Sequence, residues 1–364
     1  MNIISNYDWN FEYNPKKSIF KIDEKIIDDK LFKFNDVTDY NHDVDFRKAA
    51  FVHKLTRKHI QKFFKSGTKL KNIVNETENF ILKLFKENSA MNSEKGLAFP
   101  VGVSINNCVA HDSCCIQDDR EFKKGDVVKF DFGTHVNGNI IDSAFTTIID
   151  EEESIYDNLL YASSDATYTA ISMSGPDARL LELSEIIEEV ISSYQLPEDS
   201  KLKNIDIKPV QGIGGHNILP YKIHGDKFIF SSPDKEAQGD LKMEDGEVYA
   251  IETYATNGSG LIKRSEDLNV CTHFMENTES EKLLFLDSKI HYDIKKRNNL
   301  PFTLNWCDIK DNTFFEKFRH GIIDKSISVF PPLFDDDESK VSQFEHTIKI
   351  KENNIEIYSL GEDY

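Results

Sequence analysis

Residues 127–148 read VVKFDFGTHVNGNIIDSAFTTI, two runs of alternating apolar and polar residues separated by Asn137-Gly138. An Asn-Gly pair between such runs is the strongest short-range signal for a β-hairpin with a two-residue turn, because both turn residues must take positive φ. If Val136 faces Asn139 across that turn, Gly133 faces Asp142 and Asp131 faces Ala144. The two aspartates are then diagonal neighbours on one face. Such neighbours lie roughly 7–8 Å apart at the backbone, close enough for their carboxylates to share hard cations. Taken alone, the pair fits an edge hairpin with a solvated acidic face equally well.

The flanking sequence repeats one arrangement twice. From Val44 to about Phe64, Phe51, Leu55, Ile60 and Phe63 recur near helical spacing. Ser66-Gly67-Thr68 breaks this helix, and a second periodic stretch follows through Leu70, Ile73, Thr77, Phe80, Leu84 and Phe85. Short apolar runs at 103–110, 126–132 and 139–149 predict strands. The order then recurs: a helix over 154–172, a break at Ser174-Gly175-Pro176, a helix over 180–194, and strand-like runs at 205–211, 247–254 and 343–350. This predicts an α/β fold whose two halves set antiparallel strands against a shared centre, with helices outside and a ligand cleft between. Helical patterns around 279–296 and 313–323 read as an insertion, at about 262–330, within one catalytic domain spanning 43–364. The polar, charged residues 1–42 read as an irregular N-terminal arm.

Composition narrows the function classes. The chain has 364 residues, 39% of them hydrophobic, enough for a sizeable core. Its 44 basic and 63 acidic residues leave a net charge of −19, which argues against direct nucleic-acid binding. The opening MNIISNYDWN lacks a basic segment followed by an apolar one, and no run approaches the roughly 18 apolar residues of a membrane span. A cytoplasmic protein outside the membrane is expected. Cys108, Cys114, Cys115, Cys271 and Cys307 show no CxxC spacing and read as reduced thiols. The acidic stretch from Asp335 to Glu338 reads as a solvated loop.

Three further residues join the hairpin aspartates. His216 lies in QGIGGHNI, where glycines are expected to turn a short loop tightly and expose an imidazole. Glu252 ends the strand EVYAIET on the face of Val248 and Ala250, and Glu345 shares a face with Gln343 and Thr347 in QFEHTIKI. Each alone has a plain structural explanation, although a glutamate in an apolar strand is costly unless paired or metal-bound. Together, Asp131, Asp142, His216, Glu252 and Glu345 fit an oxygen-rich site for two divalent cations. Bridging carboxylates would screen the cations' repulsion, and a shared hydroxide would be a nucleophile at neutral pH. Such a donor set suits Co, Mn, Fe or Zn with little selectivity among them.

The segments GLAFPVGVSINNCVAH, KFDFGTHVNGNIIDSAF, GGHNILPYKIHGDK, EVYAIETYATNGSG and PPLF…QFEHTI…GEDY resemble, in that order, the type 2 methionine aminopeptidases. The resemblance runs from about Asp45 to Tyr364. It implies a pita-bread fold, a pseudo-two-fold antiparallel sheet covered by helices, and removal of the initiator Met from nascent chains whose second residue is small. It also implies that Asp142 and Glu345 bridge two ions, Asp131 completing one and His216 and Glu252 the other, with a metal-bridging hydroxide attacking the scissile carbonyl. The 93 positions between Glu252 and Glu345 would hold the type 2 helical insertion.

By the same resemblance, His111 contacts the substrate amide and His224 stabilises the scissile carbonyl as it gains charge. Glu252 shuttles the proton. Phe99, Ile223, His273, Phe330 and Leu333 would enclose the Met side chain. Phe330 stands where a Tyr is familiar, which removes a hydroxyl, and the arm lacks the long Lys-rich and acid-rich extension of many eukaryotic members. A monomer that meets nascent chains, and with them the ribosome, is expected. A silent binding relative would have lost metal ligands, and none is lost. Prolidase or aminopeptidase P relatives carry a large added N-terminal domain, and Phe99-Pro100 with Asn106-Asn107 favours Met.

Overall fold

The structure is a computed structural model describing residues 2–4, 42–114, 118–198, 202, 204–265, 273–276, 292, 294–307, 313–323, 325–361 and 363. The first half contains β1 (Asn2–Ile4), α1 (His42–Ile60), α2 (Leu70–Phe85), β2 (Lys95–Leu97), β3 (Gly102–Ile105), β4 (Cys108–Ala110), β5 (Val127–Val136) and β6 (Asn139–Ile148). The second begins with α3 (Asp157–Met173), α4 (Leu180–Ser192), β7 (Lys208–Pro209), β8 (Gly214–Ile218), β9 (Phe228–Phe230), β10 (Val248–Thr256) and β11 (Lys263–Arg264). It continues through β12 (His273–Glu276), α5 (Thr313–Ile323), β13 (Ile327–Phe330), β14 (Leu333–Phe334), β15 (Val341–Lys351) and β16 (Asn354–Ile357).

The hairpin takes the register its turn dictates. Asn137 and Gly138 have φ of 50° and 77°, and the ladder sets Val136 opposite Asn139, Gly133 opposite Asp142 and Asp131 opposite Ala144. Strand β5 pairs with β2, β3 and β6, while the larger sheet runs β1-β16-β15-β10-β8-β9 with β7 beside β10. The two sheets meet where β6 lies along β15, and side-chain hydroxyls join them there. Thr347 Oγ1 donates to Asp142 O at 2.6 Å and accepts from Asp142 N–H at 2.7 Å. Ser143 Oγ donates to Glu345 O and Thr146 Oγ1 to Gln343 O, each at 2.7 Å. These bonds satisfy buried carbonyls that would otherwise be costly.

Helices cover the outer faces for reasons visible in their composition. Helix α2 buries Leu70, Ile73, Val74, Thr77, Ile81, Leu84 and Phe85, one stripe at helical spacing. Helix α3 instead buries small residues, among them Ala162, Ser163, Ala166, Thr167 and Ala170. Their size lets it approach β10 and β15 closely enough for Thr167 Oγ1 to reach Phe344 O at 3.0 Å and Thr253 Oγ1 at 2.9 Å.

Several expectations are corrected. The run 103–110 is two strands, because Asn106 takes φ of 56° and turns the chain between β3 and β4. The run 205–211 contributes only Lys208–Pro209 to the β10 ladder, with Asp206 in an isolated bridge to Gln195. Asn2–Ile4 of the arm pairs in parallel with Asn354–Glu356 as an ordered strand, and residues 5–41 lie outside the described residues. Of the insertion, α5 matches its pattern, while most of 279–296 lies outside the described residues, as do Cys115 and Cys271.

The acidic stretch is not simply a solvated loop. Asp335 is 2% exposed. Its Oδ1 accepts from Ser259 N–H, Ser259 Oγ and Asp336 N–H, and its Oδ2 from Thr256 Oγ1 and Gly260 N–H. Those five bonds shape the turn after β10. Asp335→Ala is expected to cost about 2–4 kcal/mol, because it leaves several buried donors unsatisfied. Urea denaturation measures this, and a change under about 0.5 kcal/mol would contradict it.

Candidate metal centre

The central strands carry the predicted donors to one place. Asp131 comes from β5, Asp142 from β6, His216 from β8, Glu252 from β10 and Glu345 from β15, and all five line one cavity of about 620 Å³. Glu252 lies opposite Glu345 in the β10–β15 ladder, mid-strand rather than at its end. His216 is in a strand, not on an exposed loop, and is 2% exposed. A Cβ on Gly215 would lie 2.5 Å from Ala250 O, and one on Gly214 would strike Ile229 O. The glycines therefore serve close strand approach, which sinks His216 into the sheet.

Donor atoms of Asp142, His216 and Glu345 all lie within 4.8 Å of one another. His216 Nε2 is 3.7 Å from Asp142 Oδ2 and 3.7 Å from Glu252 Oε1. Gln343 Nε2 donates to Asp131 Oδ2 at 3.2 Å and to Glu252 Oε2 at 3.1 Å. Tyr254 OH donates to Glu252 Oε2 at 2.6 Å. Asp131 Oδ1 is buried with no hydrogen-bond partner among the described residues.

Burial and crowding set the charges. Burial pushes Asp131 up to about 6; burial and the Asp131 charge push Glu252 up to about 8. Asp142 and Glu345 are driven well above the usual carboxylate range by burial and by neighbouring acids. Burial pushes His111 and His224 down to about 4, and His216 well below its ordinary value. The three imidazoles are therefore neutral near pH 7, with a lone pair each to offer.

No Lys or Arg ion-pairs with Asp131, Asp142 or Glu252 among the described residues. Buried carboxylates in such a cluster need a countercharge. An oxygen-rich set with one imidazole and an orphaned Asp131 Oδ1 fits hard to borderline divalent cations.

Residues 45–273 match the metallopeptidase family M24. Methionine aminopeptidase 2 of Schizosaccharomyces pombe is 35% identical over 325 residues, covering 88% of this chain and 73% of that relative. Methionine aminopeptidase 2A of Arabidopsis thaliana is 36% identical over 323 residues, covering 87% and 70%. The chain belongs to metallopeptidase family M24, among the type 2 methionine aminopeptidases. The solved methionine aminopeptidase of Thermotoga maritima shares the pita-bread fold, with a TM-score of 0.58 at 19% identity, covering 86% of this chain and 95% of its own.

In this type 2 methionine aminopeptidase, Phe99, Ile223, Phe330 and Leu333 line the cavity together with His111 and His224. His273 pairs with Phe330 across β12 and β13, and its side chain lies outside the described residues. The His224 ring stands edge-on to His216 at 4.3 Å between centroids, and Phe330 lies 6.0 Å from both His111 and His224. Tyr254 is absent from the sequence-based site, although the alternation that carries Glu252 inward extends to it. Among the described residues, no helix is long and apolar enough to cross a membrane.

Chelating divalent metal is expected to lower the thermal midpoint, and by more at pH 8 than at pH 6. In the metal-free protein the folded-state carboxylate pKa values lie above their unfolded values. Their contribution to stability is fully present below about pH 4. It is lost as pH rises through about 6 for Asp131 and about 8 for Glu252. Metal competes with those protons. Melting curves with and without chelator at both pH values test this; an equal or opposite difference would contradict it.

Proposed function

We propose that the chain removes N-terminal Met from nascent proteins in the cytoplasm when the second residue is small, using two divalent ions. The supporting observation is convergence: five potential metal donors from five strands meet in one cavity whose wall includes the apolar side chains of Phe99, Ile223, Phe330 and Leu333. Phe99, Ile223, Phe330 and Leu333 suit an unbranched thioether, which gains its binding from packing and aromatic contacts. Asp131, Asp142, His216, Glu252 and Glu345 would hold the ions, which when bound polarise the scissile carbonyl and lower the pKa of the attacking water.

The remaining steps fall to side chains. Glu252 accepts the proton of the attacking water and passes it to the leaving amine. Its Oε2 is held by Tyr254 and Gln343, so Oε1 is the oxygen turned toward His216. Neutral His224 donates a hydrogen bond to the carbonyl oxygen as charge develops, and neutral His111 orients the substrate amide. The wall of apolar side chains excludes bulk water and strengthens these interactions.

Metal-loaded protein should release Met from Met-Gly-Met and none from a Met-Lys peptide. No release from the first, with Co, Mn, Fe and Zn each tried, would refute this reading. Tyr254→Phe is expected to lower kcat about tenfold with little change in KM, the effect of losing one hydrogen bond to a charged group. Steady-state kinetics decide, and an unchanged kcat would remove Tyr254 from the machinery.

A further inference from the structure

The cavity lining contains a single Lys or Arg among the described residues, Arg264. It lies on β11, where it pairs with Leu333 of β14, and Leu333 pairs in turn with Ala110 of β4, the residue before His111. Arg264, Leu333 and His111 all line the cavity, and Arg264 lies on the outer strand of this three-stranded sheet. The side chain is exposed. Among the described residues its guanidinium forms no hydrogen bond or ion pair, whereas neighbouring Lys263 is held 2.9 Å from Asp336 Oδ1. Arg47, Arg57, Arg120 and Arg179 are likewise each paired with a carboxylate. Arg264 is close enough to His111 for its charge to act on that imidazole.

This placement has a consequence for the substrate. With the N-terminal residue at the donor cluster, the following chain must leave past the cavity rim. An extended chain advances about 3.3–3.6 Å per residue, so the third and fourth residues pass the outer wall. A guanidinium without an acid partner recognises a carboxylate through two parallel hydrogen bonds, which a lysine could not reproduce. The rest of the molecule works the other way, since a net charge of −19 repels acidic peptides. A local cation at the rim is therefore the feature that would admit them.

We propose that Arg264 is a specificity residue that favours substrates with Asp or Glu at the third or fourth position. The proposal rests on the aminopeptidase reading above. It is tested on metal-loaded full-length protein with Met-Gly-Glu-Glu-Ser, Met-Gly-Gln-Gln-Ser and Met-Gly-Lys-Lys-Ser, following released Met. Within each protein the neutral peptide is the reference, so a general loss of activity in a variant cancels.

Wild type is expected to show a three- to fivefold higher kcat/KM for the acidic peptide than for the neutral one, about what a rim-exposed ion pair supports. The effect should reside in KM and shrink at high salt. R264Q should abolish the ratio and R264E should invert it in favour of the Lys peptide. If wild type releases no Met from the neutral peptide, the aminopeptidase reading fails. If it does, an acidic-to-neutral ratio in R264E equal to that of wild type overturns the role of Arg264.

Discussion

Asp142→Ala is expected to lower Met release by at least about 10³-fold and to deplete both of the proposed metal ions, whereas Asp131→Ala should deplete chiefly one. The asymmetry follows from position. Asp142 is 4% exposed, sits among the donor atoms of His216 and Glu345, and is flanked by Asp131 on the same hairpin face. Gln343 reaches Asp131 on one oxygen only, which leaves Oδ1 without a hydrogen-bond partner among the described residues and open to one of the proposed ions. Misfolding does not explain the loss. Asp142 is pushed upward by burial and by its acidic neighbours, so removing it relieves repulsion in the metal-free protein. Its bonds to Thr347 are made by the main-chain N–H and O, which alanine retains. The chelated variant should therefore melt no lower than chelated wild type. Metal analysis, kinetics and melting curves together test this; equal, small losses of metal in the two variants would contradict it.

Arg297→Ala should cost roughly 3–5 kcal/mol of stability and raise KM more than it lowers kcat. Arg297 is 0% exposed, and its partners are carbonyls rather than acids. Nη1 donates to Ala90 O, Asn92 O and Leu97 O at 3.0, 3.4 and 2.8 Å, and Nη2 to Ala98 O and Pro301 O at 3.0 and 2.7 Å. The guanidinium also lies 5.2 Å from the Trp306 ring. It thereby joins the insertion to the segment that leads into Phe99, and Phe99 and Pro301 both line the cavity. Removal strands buried acceptors and loosens the apolar wall that would hold the Met side chain. Arg297→Lys keeps a charge but loses the fork, so it should fall between wild type and alanine. Urea denaturation and steady-state kinetics test both points. A stability change below about 0.5 kcal/mol would show that the insertion is held by other contacts.

Local pattern accounts for what was legible in advance. The Asn137-Gly138 turn and the period-two alternation around it specify one register, and the stripe from Leu70 to Phe85 specifies one buried helix face. Costly acids in apolar strands marked Asp131, Asp142, Glu252 and Glu345 as candidates before any contact was known. Resemblance added His111 and His224, whose positions beside the donor cluster no spacing rule reveals.

Other features were misread or missed because their cause is distant in the chain. Gly214 and Gly215 look like loop residues until Ile229 and Ala250 are seen pressing against them. Asp335 looks solvated until the turn at 256–260 folds over it. Arg264 and Arg297 carry no local signal at all. One stands at the cavity rim without an acid partner among the described residues, and the other is buried under carbonyls from residues about 200 positions away.

By itself, then, the sequence determined most of the elements, the hairpin register and which side chains could bind metal, since each depends on turn chemistry or on a period of two or 3.6 residues. Only the tertiary structure decided that five strands bring those donors into one cavity, that hydroxyls of Thr347, Ser143 and Thr146 join its two halves, and that Arg264 stands at the rim. Those outcomes depend on close approach and burial between segments more than 200 residues apart, which no local periodicity encodes.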